Sequence, residues 1–226
     1  MPRPLQIVCL LIFSSLILFS SILAYSQTET QVPAVVTFTL DFPASQPERY
    51  SIRVQSDGSA RYQSSGRLPA NPDETDSFDL DFKVAAATRQ KIFELAAKAG
   101  YFQKDVDSHH KGLAFTGGKT VSYKDAQRSG ESTYNYSAIP AVQELTSLMQ
   151  SLAATLEFGH RLQYDRHYQK LALDEELKRM EEMARTNQLV EVTAIQPILD
   201  QIVADPSVIN VTRARAQRLL ERAGVH

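Results

Sequence analysis

Period-two alternation runs through the first half of the chain. Val36, Phe38, Leu40 and Phe42 alternate with Thr37, Thr39 and Asp41, and Tyr50, Ile52 and Val54 alternate with Ser51, Arg53 and Gln55. A strand with one buried face has this period, because successive side chains point to opposite sides of the sheet. Asp57-Gly58 follows, and Ala60, Tyr62 and Ser64 resume the alternation. The dipeptide predicts a tight hairpin with both central residues at positive φ. Residues 66–77 (GRLPANPDETDS) read as a polar loop, and Phe78, Leu80, Phe82 and Val84 as the inward positions of a fourth strand.

The period then lengthens to that of a helix. Ile92, Phe93, Leu95, Ala96 and Ala99 share one side of a helix over 88–99, with Gly100 as its C-cap. Residues 103–118 carry no period, 120–125 and 132–136 read as two more strands, and Pro140 opens a helix at its first position. Val142, Leu145, Leu148, Met149, Leu152 and Leu156 give that helix its apolar stripe. From Phe158 onward the pattern is helical throughout. One stripe runs through Leu173, Leu177, Met180 and Met183, and a second through Leu189, Val192, Ile195, Leu199 and Ile202, bent or broken at Pro197. Asp205-Pro206 reads as the N-cap and first residue of a last helix to about Ala223. The order predicts an α+β fold, an antiparallel sheet with helices on one face, followed by an all-α helical hairpin segment. The expected division is an α+β domain at 27–157 and a C-terminal helical segment at 158–226, the latter at most one helix-pair unit of the HEAT type.

Residues 1–26 change the picture of where such a chain works. Arg3 precedes an uncharged run from Ile7 to Ala24, and Ala24-Tyr25-Ser26 supplies the small residues of a signal-peptidase site. The expected location is periplasmic or extracellular. The run also reaches the length that crosses a bilayer, so membrane attachment is expected only if this segment is left uncleaved. Cys9, the single cysteine, lies inside it. The expected mature chain therefore has no disulfide, thiolate nucleophile or cysteine-ligated zinc. Without Arg3, 23 basic residues face 26 acidic ones, which lacks the concentrated basic footprint of a nucleic-acid binder.

The candidate chemistry is sparse. Gly117-Gly118-Lys119-Thr120 lacks the first glycine of a phosphate-binding loop and leads into strand-like sequence, so it reads as a tight Gly-Gly hairpin turn. Ser108-x-x-Lys111 lacks the companion elements of serine acyl-enzymes, and His109 and His110 read as solvated loop residues. Asn71, Asp73, Glu74 and Asp76 offer oxygen ligands without the spacing of a calcium loop. Glu157, His160, Tyr164 and His167 recur at i, i+3, i+7 and i+10 on one helix face. Glu157-x-x-His160 is half of a di-metal carboxylate element, which makes Glu157, His160 and His167 the metal candidates. The competing reading is a polar stripe packed on the next helix. Arg213, Arg215, Arg218 and Arg222 read as a solvated helix end favoured by its dipole, or as a basic strip facing a partner. The sequons at Asn135 and Asn210 matter only in a eukaryotic secretory pathway. No catalytic residue set and no cofactor is expected.

The stretches VVTFTLDFP (35–43), KIFELAAKAGYF (91–102), KTVSYKD (119–125), YNYS (134–137), LALDEELKRMEEMA (171–184) and DPSVINVTRARAQRLL (205–220) together resemble an uncharacterised family of exported bacterial proteins. The likeness spans nearly all of the chain after the leader. It implies export and this architecture, and it assigns no site. Three functions follow as expectations. The first is a non-enzymatic envelope or periplasmic protein that docks a protein partner through residues 158–226. The second is a hydrolase or metal-dependent enzyme with a dispersed site. The third is a small-ligand binder on the sheet near Tyr50, Tyr62 and Phe82.

Overall fold

The computed structural model describes residues 32–43, 45–68 and 71–224. The expected leader at 1–26 lies outside them. Six strands, β1 (Val35–Asp41), β2 (Arg49–Gln55), β3 (Ser59–Leu68), β4 (Asn71–Lys83), β5 (Gly118–Lys124) and β6 (Ser129–Tyr134), form one antiparallel sheet in the order β4-β3-β2-β1-β5-β6. Register carries the alternation across it. Phe38 pairs with Ile52 and Val121, Ile52 with Tyr62, and Tyr62 with Leu80, so all of these fall on one face. The opposite face presents Thr37, Thr39, Ser51, Arg53, Arg61, Gln63 and Thr120 to solvent.

Five helices complete the described chain: α1 (Ala86–Lys98), α2 (Pro140–Tyr168), α3 (Ala172–Arg185), α4 (Gln196–Ala204) and α5 (Asn210–Arg222). α1 and α2 cover the apolar face of the sheet, α3 and α4 pack on α2, and α5 packs on α3 and α4. This is the expected α+β fold. The expected division at 157/158 falls inside α2, which continues for ten residues beyond Phe158. A single hydrophobic core runs from Val36 and Phe38 through Leu152, Leu156 and Leu162 to Leu173, Leu199 and Leu219. Residues 32–224 accordingly belong to one compact unit.

Four local expectations are corrected. Asp57 is not at positive φ; only Gly58 is, at 88°. The connection is a three-residue loop in which Gly58 N–H donates to Gln55 O (2.9 Å) and the Asp57 carboxylate accepts from Ser59 N–H, a type I turn closed by a left-handed glycine. The polar loop at 66–77 is mostly strand: Gly66 pairs with Asp76 and Ser65 with Ser77, so β3 and β4 form a hairpin that outruns the core. Backbone hydrogen bonds sustain it where no apolar alternation marks it. Pro197 starts α4 in its first turn rather than bending a longer helix. Asp205 does not cap α5, which begins at Asn210. Its carboxylate instead accepts from Ser207 N–H (3.0 Å) and pairs with Lys170 (3.4 Å) and Arg166 (3.6 Å), which holds the 205–207 turn against the α2–α3 corner.

Candidate functional site

The site begins where the hairpin leaves the core. Along the inner face of β3 the residues run Ala60, Tyr62, Ser64, Gly66, and opposite them on β4 run Phe82, Leu80, Phe78, Asp76. Side chains shrink and turn polar toward the far end. The second half of α2 passes over this end with Glu157, His160, Arg161, Tyr164 and Asp165, which recur at helical spacing on one side. α3 then contributes Ala172 and Glu176, and the segment between β1 and β2 contributes Gln46 and Pro47. Together these walls enclose a groove of about 530 Å³.

Most of its charges are held in place. The Tyr62 hydroxyl (2.6 Å) and the Ser64 hydroxyl (2.7 Å) both donate to Glu157 Oε1. Burial, and then the neighbouring Glu157 carboxylate, push the Tyr62 hydroxyl far above its ordinary pKa, so it remains a donor. His160 Nε2 donates to Asp76 Oδ2 at 3.0 Å, and its ring lies against Phe78 with centroids 4.3 Å apart. Arg161 Nε pairs with Glu176 Oε2 at 3.2 Å while its guanidinium sits 4.6 Å over the Phe158 ring. Arg67 pairs with Glu48 at 2.7 Å, and Glu176 also meets Arg179 at 3.5 Å.

Asp165 differs. It is 9% exposed. Its backbone carbonyl accepts from Gln169 N–H (2.7 Å), yet its carboxyl makes no hydrogen bond or ion pair among the described residues. Burial raises its pKa, the Glu176 carboxylate raises it further, and Arg161 opposes both. A carboxylate partly withdrawn from water and without a protein partner holds its proton more tightly.

The structure thus brings together two of the three metal candidates, Glu157 and His160. It does not bring His167, which is exposed further along α2 with its ring against Tyr168. Among the described residues no group of three or more histidine, aspartate or glutamate side chains is arranged to hold a metal ion. Tyr50 and Tyr62 lie in the core and do not form a ligand surface, apart from the Tyr62 hydroxyl that reaches Glu157. Arg215, expected to be solvated, turns inward to Asp174 and Glu181. Gly117-Gly118 leads into β5 rather than forming a hairpin, and Lys119 is buried with its ammonium donating to the carbonyls of Thr116, Gly117 and Asn135. Sequence reasoning missed Asp165 and Glu176, and it named Asp76 only as an oxygen ligand of a loop, not as the partner of His160. Asp165 is eight residues beyond Glu157 on the same helix and could have been found by extending the stripe; Glu176 and Asp76 carry no such signal. Another concavity, of about 580 Å³, lies on the solvated sheet face, where Arg61 pairs with Asp79 and Asp81. It gathers no buried polar group. No protein-family model and no curated protein matches this chain.

Proposed function

We propose that the chain is an exported, non-enzymatic protein that binds a small polar molecule in the groove between the β3–β4 hairpin and helices α2 and α3. The observation that carries this reading is the set of ionisable side chains converging on one concavity, most of them fixed by a partner. Such a wall is already organised before a ligand arrives, as binding sites with a few well-placed polar groups are. Binding is favoured over catalysis because the acids and bases are spent on one another: His160 on Asp76, Glu176 on Arg161 and Arg179, and Glu157 on two hydroxyls. The leader at 1–26 supports export. Among the described residues no helix is long and apolar enough to cross a membrane.

A thermal-shift screen of the mature protein against a metabolite library tests the reading. A ligand at a hundredfold excess over its Kd adds about 2.7 kcal/mol, several degrees in melting temperature for a chain of this size. Ala172→Trp, which places an indole in the groove, is expected to erase that shift. A library that moves neither protein would refute the proposal.

A second reading, a protein partner docked through residues 158–226, is favoured by exposed apolar side chains at the α2–α3 corner and the start of α5. Leu171 is 88% exposed and Tyr168 68%, with Ile209 and Val211 also exposed. The pairing of Lys170 with Asp205 ties the two segments together. Because α2 crosses position 158, point substitutions test this better than truncation. Leu171→Glu with Ile209→Glu is expected to abolish recovery of a partner from envelope extract, and equal recovery by the double variant excludes this surface.

A further inference from the structure

We propose that the groove takes the ammonium group of a small organic amine on the carboxylate of Asp165. The inference rests on the ligand-binding reading above and names the class of ligand. Asp165 is more than nine-tenths buried, forms part of the groove wall, and has no hydrogen-bond partner for its carboxyl among the described residues.

The basic side chains that line the groove are committed elsewhere. On α2, Arg161 is bound to Glu176 and stacked on Phe158; Arg166, outside the lining, donates from Nη1 to Gln201 (3.1 Å) and faces Asp205 at 3.6 Å, with its Nε making no hydrogen bond among the described residues. On α3, Arg179 also serves Glu176. From the hairpin, Arg67 is held by Glu48, and Asp76 binds the His160 ring on α2. Of the groove carboxylates, those of Glu157 and Asp165 have neither an arginine nor a histidine partner among the described residues, and only Glu157 is compensated by hydroxyl donors.

The chemistry selects among ligands. An anion would meet Asp165, Glu157 and Glu176 together. A divalent cation needs several oxygen ligands converging on one point, and among the described residues no group of three or more ligating side chains does so. A quaternary ammonium is held by several aromatic faces, and Tyr164 is the one aromatic side chain lining the groove. A primary ammonium fits. It brings one positive charge and three N–H donors. Asp165 accepts one of them, and Tyr164, Gln46 and Gln169 also line the groove. Pro47 and Ala172 supply apolar surface for the carbon skeleton.

Calorimetric titration with ethanolamine, 1,4-diaminobutane and glucosamine, alongside glycerol, glucose and succinate, tests the assignment. The amines are expected to bind at pH 7.5 and the others not. Asp165→Asn is expected to weaken amine binding roughly thirtyfold or more, the loss for removing one member of a buried charge pair. Affinity in the wild type should fall as pH drops, because a proton on Asp165 competes with the ammonium; the Asn variant should lose that dependence. A further readout separates this role from a structural one. A carboxyl whose pKa is raised on folding loses stability as pH rises through the folded value. The ligand-free Asn variant should therefore melt above the wild type at pH 7.5, and the gap should close toward pH 3.5. Amine binding that is indifferent to Asp165→Asn overturns the assignment. Binding of glucose or succinate that is blocked by Ala172→Trp but not by Asp165→Asn overturns the amine class and leaves the groove reading standing. If no probe of any class binds, both fall.

Discussion

Gly130→Ala is expected to lower the stability of the protein by about 3 kcal/mol, a fall of roughly 6–12 °C in melting temperature for a chain of this size. Gly130 pairs with Tyr123 and lies on the inner face of β6, where the single turn Gly100–Phe102 crosses directly above it. A Cβ there would fall on the Tyr101 carbonyl oxygen and within 2.8 Å of Gln103 N and Phe102 C. All three are backbone atoms, so no side-chain rotation makes room. The turn would have to lift away from the sheet, drawing Phe102 out of the core and Tyr101 from beneath the Arg128 guanidinium, which lies 4.0 Å from its ring. Gly118→Ala is the control. Its Cβ would meet only Asp41 O, at 3.8 Å, so a change of no more than about 0.5 kcal/mol is expected for that variant. Equal melting of the two variants would show that the turn is not seated on β6.

Where an element was legible in the sequence, an apolar period marked it. β1, β2 and the core half of β3 follow from Phe38, Ile52 and Tyr62, and the start of α2 follows from Pro140. The far half of the β3–β4 hairpin was not legible, because Ser65, Gly66, Asp76 and Ser77 are polar or small on both faces and pair through backbone alone. That omission hid the wall of the groove made by Gly66, Arg67 and Asp76. Glu157 and His160 stood out because one helix sets their spacing. Their actual partners, Tyr62, Ser64 and Asp76, come from strands more than 80 residues earlier, and no local pattern encodes them. The arginines of α5 show the same limit. Helical spacing placed Arg215 and Arg218 on one face, but only the docking of α3 determined that this face is turned toward Glu181.

That contact carries the second large effect. Glu181→Ala is expected to cost about 3 kcal/mol at pH 7, the low end of what breaking a buried ion pair costs. Glu181 is 7% exposed and accepts from Arg215 Nη1 at 2.5 Å and Arg218 Nε at 2.7 Å. Arg215 reaches on to Asp174 at 2.9 Å, which also accepts from the Thr212 hydroxyl, so one carboxylate pair on α3 clasps one arginine pair on α5. Removing Glu181 strands Arg215 with half its partners, whereas Arg218 is half-exposed and recovers water, which is why the low end applies. Burial by itself would raise the Glu181 pKa, but Arg218 and Arg215 outweigh it and hold the carboxyl below its ordinary 4.5. A carboxyl depressed on folding contributes stability above its unfolded pKa and loses it as pH falls through the folded one. The difference between wild type and Glu181→Ala should therefore be full at pH 7 and shrink below about pH 4.5. Glu182→Ala, one residue along on the exposed side of α3, should change stability by no more than about 0.5 kcal/mol. Glu181→Leu combined with Arg215→Met should recover much of the loss, since apolar packing can replace a buried pair once both charges are gone. A loss in Glu181→Ala that is unchanged from pH 7 to pH 3 would mean that packing, and not charge, joins α3 to α5. The acidic run at 174–176 would then have a single electrostatic task, Glu176 holding Arg161 at the groove, instead of two.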